Sequence, residues 1–119
     1  PICCAITNAA LDGIANRFEA DLQTGRLFVA PTFYDDSFSL HGALRTVNLT
    51  SGAVEEMAWS PRSQAISDLA VCPDGSVIAI DATFGASGVR IYGSGGGERT
   101  SEPLSIGLPP VTQNGVVCY

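Results

Sequence analysis

The sequence predicts an all-β fold made of repeated antiparallel hairpins. Between Ser67 and Asp81, an apolar strand, a Pro-Asp-Gly turn at 73–75 and a second apolar strand follow one another, which is the pattern of a β-hairpin. The segment that opens this hairpin at Asp68 has a counterpart upstream, at Asp12, and another downstream, at Asn114. Each of these two counterparts is followed by glycine. A supersecondary unit therefore repeats along the chain.

The spacing of the repeat indicates the architecture. Asp12, Asp68 and Asn114 fall at one position of the repeat, 56 and 46 residues apart. Roughly 40 to 50 residues is the length of a four-stranded propeller blade. The sequence therefore predicts β-propeller blades, namely two four-stranded antiparallel blades and the first strand of a third. Because a propeller needs about four to eight blades, we expect further blades from other copies or from a longer parent chain.

Turn residues and apolar alternation place the individual elements in order. The predicted units are an N-terminal segment 1–12, a blade 13–60, a blade 61–110 and an opening strand 111–119. Strands of the first blade are expected at Gly13–Arg17, Arg26–Phe33, Ala43–Leu49 and Ala53–Trp59, and those of the second at Asp68–Cys72, Ser76–Asp81, Gly88–Tyr92 and Arg99–Ile106. The glycine run 93–97 is typical of a flexible hairpin loop, and only Ala5–Leu11 could turn helically.

Charge and hydropathy exclude two classes of partner. The chain has six arginines, no lysine and twelve acidic residues, which gives a net charge of −6. Such a balance offers no positive surface to a phosphate backbone, so nucleic acid is not an expected partner. No run of eighteen apolar residues occurs, so no membrane-spanning segment is expected.

Four cysteines in 119 residues favour an oxidising compartment and a secreted or extracytoplasmic location. Cys72 and Cys118 occupy equivalent positions of neighbouring inner strands, which we expect to be too far apart for a direct bond, since bridged Cα atoms lie within about 7 Å. We expect instead a bridge from Cys3 or Cys4 to a terminal strand; buried free thiols are the open alternative. The triplet 48–50, Asn-Leu-Thr, is an N-glycosylation sequon that agrees with secretion.

The second half of the chain resembles a known family. Its Pro-Asp-Gly turn, the strand 88–92 (Gly-Val-Arg-Ile-Tyr) and the segment 113–116 (Gln-Asn-Gly-Val) are similar to blade openings of the gluconolactonase and regucalcin family of six-bladed propellers and of the related yellow and royal-jelly proteins. The resemblance implies a divalent metal, often calcium, at the top of the central channel. It implies that Asn114, which precedes a glycine, is a metal ligand and that Asp68 touches substrate, although Ser67 departs from the family motif at that point.

The residue types suit the same chemistry. If Asp12, Asp68 and Asn114 share one repeat position, three oxygen-bearing side chains point towards one axis, as Ca²⁺ or Mg²⁺ requires. Such an ion polarises an ester carbonyl or activates water for lactone hydrolysis. We therefore expect Asp12 and Asn114 to bind the metal and Asp68 to act on a lactone-like small molecule. The alternative is that each side chain caps its own turn.

Two functional classes follow. The first is a metal-dependent, lactonase-like hydrolase, or a family relative that orients a small molecule for cyclisation. The second is a non-catalytic propeller module for ligand binding or protein interaction, since a fold alone does not fix a function.

Three further features carry weaker expectations. Asp81 closes an apolar strand, and it either faces the channel mouth or forms a turn. His41 lies in a polar stretch that is expected to be a loop, so its side chain is expected to be solvated, with a role as ligand or base as the alternative. The segment 33–36, Phe-Tyr-Asp-Asp, is expected to be a surface loop, with a ligand mouth as the alternative.

Overall fold

The computed structural model describes residues 14–59, 65–107 and 115–119. Every regular element in those ranges is a β-strand, so the all-β prediction is confirmed there. The strands are β1 Ile14–Asp21, β2 Arg26–Tyr34, β3 Leu40–Asn48, β4 Val54–Trp59, β5 Ile66–Val71, β6 Val77–Asp81 and β7 Gly88–Tyr92. They form two antiparallel sheets.

The first sheet is a four-stranded meander in the order β1-β2-β3-β4. The side-chain oxygens of Asp21 accept the backbone N–H groups of Gln23 and Thr24, and Gly25 closes that turn at a φ of 69°. Short polar side chains that bond nearby amides, followed by glycine at positive φ, are what a tight turn requires. All four strands predicted for this blade are present, with β1 reaching four residues further than expected.

The second sheet begins with the predicted Pro-Asp-Gly hairpin between β5 and β6. Cys72 N–H donates to Ser76 at 2.8 Å and Gly75 N–H donates to Cys72 at 2.9 Å. Asp74 Oδ1 accepts the Ser76 amide at 2.9 Å, while Gly75 adopts a φ of 80°. The hairpin that the sequence indicated most clearly is therefore confirmed.

The second sheet has three strands, in the order β5-β6-β7. The expected fourth strand at Arg99–Ile106 is wrong as a regular element, because only isolated bridges connect this segment to β7. Between them, the Ile91 N–H donates to the Thr100 hydroxyl at 3.3 Å instead of to a backbone carbonyl. Pro103 has no N–H to offer a ladder, and proline is confined to sheet edges and bulges for that reason.

One apolar core joins the two sheets. Its buried members come from both sheets: Phe28, Ala30, Leu44, Ile66, Leu69, Val77, Ala79 and Tyr92. A smaller cluster on the opposite face of the first sheet contains Val29 and Val47. Because successive side chains of a strand alternate between faces, Phe28 points to the second sheet and Val29 points away from it.

Gly42 of β3 lies against the backbone just before β5. A Cβ atom added there would lie 2.9 Å from the Cα of Ala65, the residue that precedes β5. We therefore expect Gly42→Ala to lower the free energy of unfolding by about 1–3 kcal/mol, the usual effect of overpacking, measured by urea denaturation. Gly97→Ala is the matched control, because a Cβ atom at Gly97 meets nothing within 4 Å; equal losses from both variants would contradict this close packing.

Candidate functional site

A β-bulge interrupts the first strand of each sheet. The register of β1 shifts between Ala15 and Arg17, and the register of β5 shifts between Ile66 and Asp68. Bulges re-aim the side chains that follow them and are common beside functional sites. Arg17 and Asp68 each follow a bulge directly, and the two side chains meet.

Asp68 of β5 contacts two other segments of the chain, β1 and the segment 115–119. Its Oδ1 is 3.2 Å from Nε of Arg17 on β1, and its Oδ2 accepts the Val116 N–H at 3.1 Å. Nε of Arg17 also donates to the carbonyl oxygen of Ser67 at 3.3 Å. One carboxylate therefore joins β1, β5 and the segment 115–119.

The exposure of the pair differs between its members. The Asp68 side chain is 16% exposed and the Arg17 side chain is 51% exposed. The guanidinium therefore forms the solvent-facing side of the pair, and it can donate hydrogen bonds to a carbonyl or carboxylate oxygen. Arg17 was not among the predicted site residues, because no local motif marks it and its partner is 51 positions away in the sequence.

One of the three predicted site residues lies within the described part of the chain. Asp68 is described, whereas Asp12 and Asn114 lie outside the described residues. Arg17 and Asp68 both follow a register shift in the first strand of their sheet, 51 positions apart in the sequence. Within the described ranges, no cluster of three or more His, Cys, Asp or Glu residues has a metal-binding arrangement.

Cys72 and Cys118 form a disulfide with a Cα–Cα distance of 4.9 Å. The expectation that these two residues are too far apart is wrong. The distance of 4.9 Å lies within the range of about 4.4–6.8 Å that a disulfide needs between its Cα atoms. The bond agrees with an oxidising compartment, and its 46-residue separation equals the predicted spacing between Asp68 and Asn114.

His41 differs from its expected environment. It belongs to β3, its side chain is 15% exposed, and Nε2 lies 2.8 Å from Oδ2 of Asp35. Its ring centroid lies 5.7 Å from that of Phe33, whose ring is also approached by Arg45. Cross-strand pairing with Phe33 explains the placement, because paired residues lie on the same face of a sheet.

Asp35 organises the loop that joins β2 and β3. Its Oδ1 accepts the backbone N–H groups of Ser37 and Ser39 at 2.8 and 2.9 Å. The hydrogen bond with His41, followed by those from the loop amides, lowers the pKa of the Asp35 carboxyl. Phe38 at the tip is 87% exposed with a φ of 60°, so the surface loop carries an exposed aromatic side chain.

Asp81 is buried in the second sheet and does not face a channel mouth. Its Oδ1 accepts the Thr83 N–H at 3.0 Å and also the Thr83 hydroxyl, which confirms the turn-forming alternative. Its Oδ2 lies 2.7 Å from Nε of Arg90, and Nη1 of Arg90 lies 2.6 Å from Oε1 of Glu98. Burial disfavours the charged guanidinium, but the two carboxylates outweigh it and raise the pKa of Arg90.

Comparison of the chain with family models, curated proteins and solved structures found no match. Among the described residues, no helix has the length and apolar character needed to cross a membrane. The candidate site therefore stands on its own geometry, with Asp68 and Arg17 at its centre.

Proposed function

We propose that this chain is part of a six-bladed propeller enzyme of the gluconolactonase-like type, which binds a divalent metal and a lactone-like small molecule at its central channel. The observation that carries the proposal is the position of Asp68, which bonds to β1 on one side and to the segment 115–119 on the other. In a propeller the first strands of successive blades line the channel. The contacts of β1, β5 and the segment 115–119 around Asp68 fit such an arrangement.

The residues of this chain have distinct roles in the proposed site. Arg17, half exposed beside Asp68, donates hydrogen bonds to the carbonyl oxygen of the substrate. Asp68 orients Arg17 and contacts a hydroxyl group of the substrate, and the Val116 amide fixes the carboxylate in place. Asp12 and Asn114 would hold the metal, with Ca²⁺ the preferred ion for oxygen ligands. When bound, the ion supplies a Lewis acid for the ester carbonyl.

Asp68→Asn is the first test of this activity. We expect it to lower the calcium-dependent rate of aldonolactone hydrolysis, followed by pH-stat titration, by about 10²-fold, the usual effect of misplacing a group that positions the substrate. The control is Asp36→Asn, which removes the same negative charge from an exposed position in the β2–β3 loop. This variant should hydrolyse the lactone at the rate of the unsubstituted protein. Hydrolysis by Asp68→Asn at the rate of the unsubstituted protein would contradict the role of Asp68.

A non-catalytic ligand-binding module is the second candidate, and one observation favours it. Both oxygens of Asp68 already contact groups of the protein, as expected of a carboxylate that ties neighbouring segments together. On this alternative, or for a relative that orients a molecule for cyclisation, a small molecule binds without being hydrolysed. Calorimetry with the same lactones separates the candidates, because heat of binding without product formation supports the module.

A further inference from the structure

The Cys72–Cys118 disulfide lies in an open cleft. Cys72 follows β5 directly, at the start of the Pro-Asp-Gly turn, and the cleft has a volume of about 530 Å³. Its walls are the turn after β1, residues 19–24, and the turn after β5, residues 71–75, together with Ser94 and Cys118. Both cysteines are partly exposed, and both line the cleft.

The disulfide also holds the segment 115–119 against β5. Among the described contacts, the other tie is the hydrogen bond from the Val116 N–H to Asp68. The side chains of Val117 and Tyr119 are exposed and therefore add little buried apolar surface. The disulfide is therefore one of two ties that the described residues show between this segment and β5 with the turn that follows it.

The cleft has an acidic lining. Glu19, Asp21 and Asp74 line it, and no arginine is among its described lining residues. Hydrogen bonds from Thr24 and Ser76 lower the pKa of the Asp21 and Asp74 carboxyls, with Arg26 beside Asp21 and Arg99 beside Asp74 acting in the same direction. The approach of a reagent that carries carboxylates in addition to its thiolate is therefore opposed by like charge.

We propose that Cys72–Cys118 is a thiol-exchange site that takes uncharged or cationic dithiols, and that its reduction releases the segment 115–119 from Asp68. A reagent thiolate attacks one sulfur, a mixed disulfide forms, and the other cysteine leaves as a thiolate that takes up a proton. The second reagent thiol then closes its own disulfide and frees the first cysteine. The protein gains two thiols and the dithiol is oxidised.

Amide hydrogen exchange tests the release. In a Cys3→Ser, Cys4→Ser variant, which leaves a single cysteine pair, reduction should raise exchange at Val116 at least about tenfold while β2, β3, β6 and β7 keep their protection. The added replacement of Cys72 and Cys118 by serine should reproduce this pattern without reductant. Unchanged exchange at Val116, or loss of protection in all strands, would overturn the inference.

Reduction rates test the selectivity. The rate constant for reduction, expressed per thiolate, is measured at low salt for dithiothreitol and for glutathione. We expect the ratio of the two rate constants to be at least about threefold higher for the protein than for an unstructured disulfide peptide. This preference for dithiothreitol should become smaller in 0.5 M salt and in the variant Glu19→Gln. It should stay the same in the matched control Asp36→Asn. A rate ratio equal to that of the peptide would contradict the electrostatic selection. Neither experiment depends on lactone hydrolysis, so the inference and the proposed function can fail separately.

Discussion

Replacing Asp81 with alanine is expected to lower the free energy of unfolding by about 3–5 kcal/mol, since it removes one member of a buried ion pair. The Arg90 side chain is 3% exposed and would lose its 2.7 Å partner, leaving a buried guanidinium whose remaining ion pair, among the described residues, is with Glu98. The Thr83 amide would lose its acceptor as well. Because a domain is stabilised by about 5–15 kcal/mol in total, urea denaturation should show a transition at much lower urea concentration.

Two controls separate the charge from the packing. Glu98→Gln should lower the free energy of unfolding by less than Asp81→Ala does. The Glu98 side chain is 23% exposed, so water can replace part of its interaction with Arg90. The double variant Asp81→Val, Arg90→Met should recover most of the stability, since an apolar pair of similar volume is often as stable as a buried ion pair. Equal stability of Asp81→Ala and the unsubstituted protein would contradict the buried network.

Phe28→Ala is expected to lower the free energy of unfolding by about 3–5 kcal/mol, the usual result of deleting a buried phenylalanine. Phe28 lies on the face of the first sheet that packs against the second, in the same cluster as Val77 and Tyr92. The cavity would therefore weaken both sheets together. Hydrogen exchange should show reduced protection in β6 and β7 as well as in β2 and β3.

The control for this prediction is Phe38→Ala, which deletes the same ring from an exposed loop position. It should change the stability by no more than about 0.5 kcal/mol, as exposed substitutions usually do. If Phe28→Ala affected exchange in β2 and β3 alone, the two sheets would be independent units without a common core.

Local sequence signals predicted the strands where turn chemistry and alternation agree. The Pro-Asp-Gly turn and the glycine at 25 supply the backbone conformations that hairpins require, and the strands beside them occur where expected. The segment Arg99–Ile106 was predicted as the fourth strand of a blade, whereas Pro103 and the Thr100 hydroxyl interrupt the ladder. His41 was misplaced because its polar neighbours suggested a loop, while its pairing with Phe33 depends on the register of two strands.

The site depends on contacts that no local pattern records. Asp68 was identified from the repeat, but its partner Arg17 follows a bulge in another sheet and belongs to no local motif. The Cys72–Cys118 bond likewise depends on how closely two segments approach one another. Such distances follow from the packing of whole sheets, and that packing is specified by many residues together.

The placement of the segment 115–119 beside β5 can be measured directly by disulfide mapping of the unreduced chain. Trypsin cuts after arginine, so Cys72 falls in the peptide 63–90, Cys118 in the peptide 100–119, and Cys3 and Cys4 in the peptide 1–17. We predict that mass spectrometry will find 63–90 bonded to 100–119. A bond from either of these peptides to 1–17 instead would contradict the arrangement of β1, β5 and the segment 115–119 around Asp68.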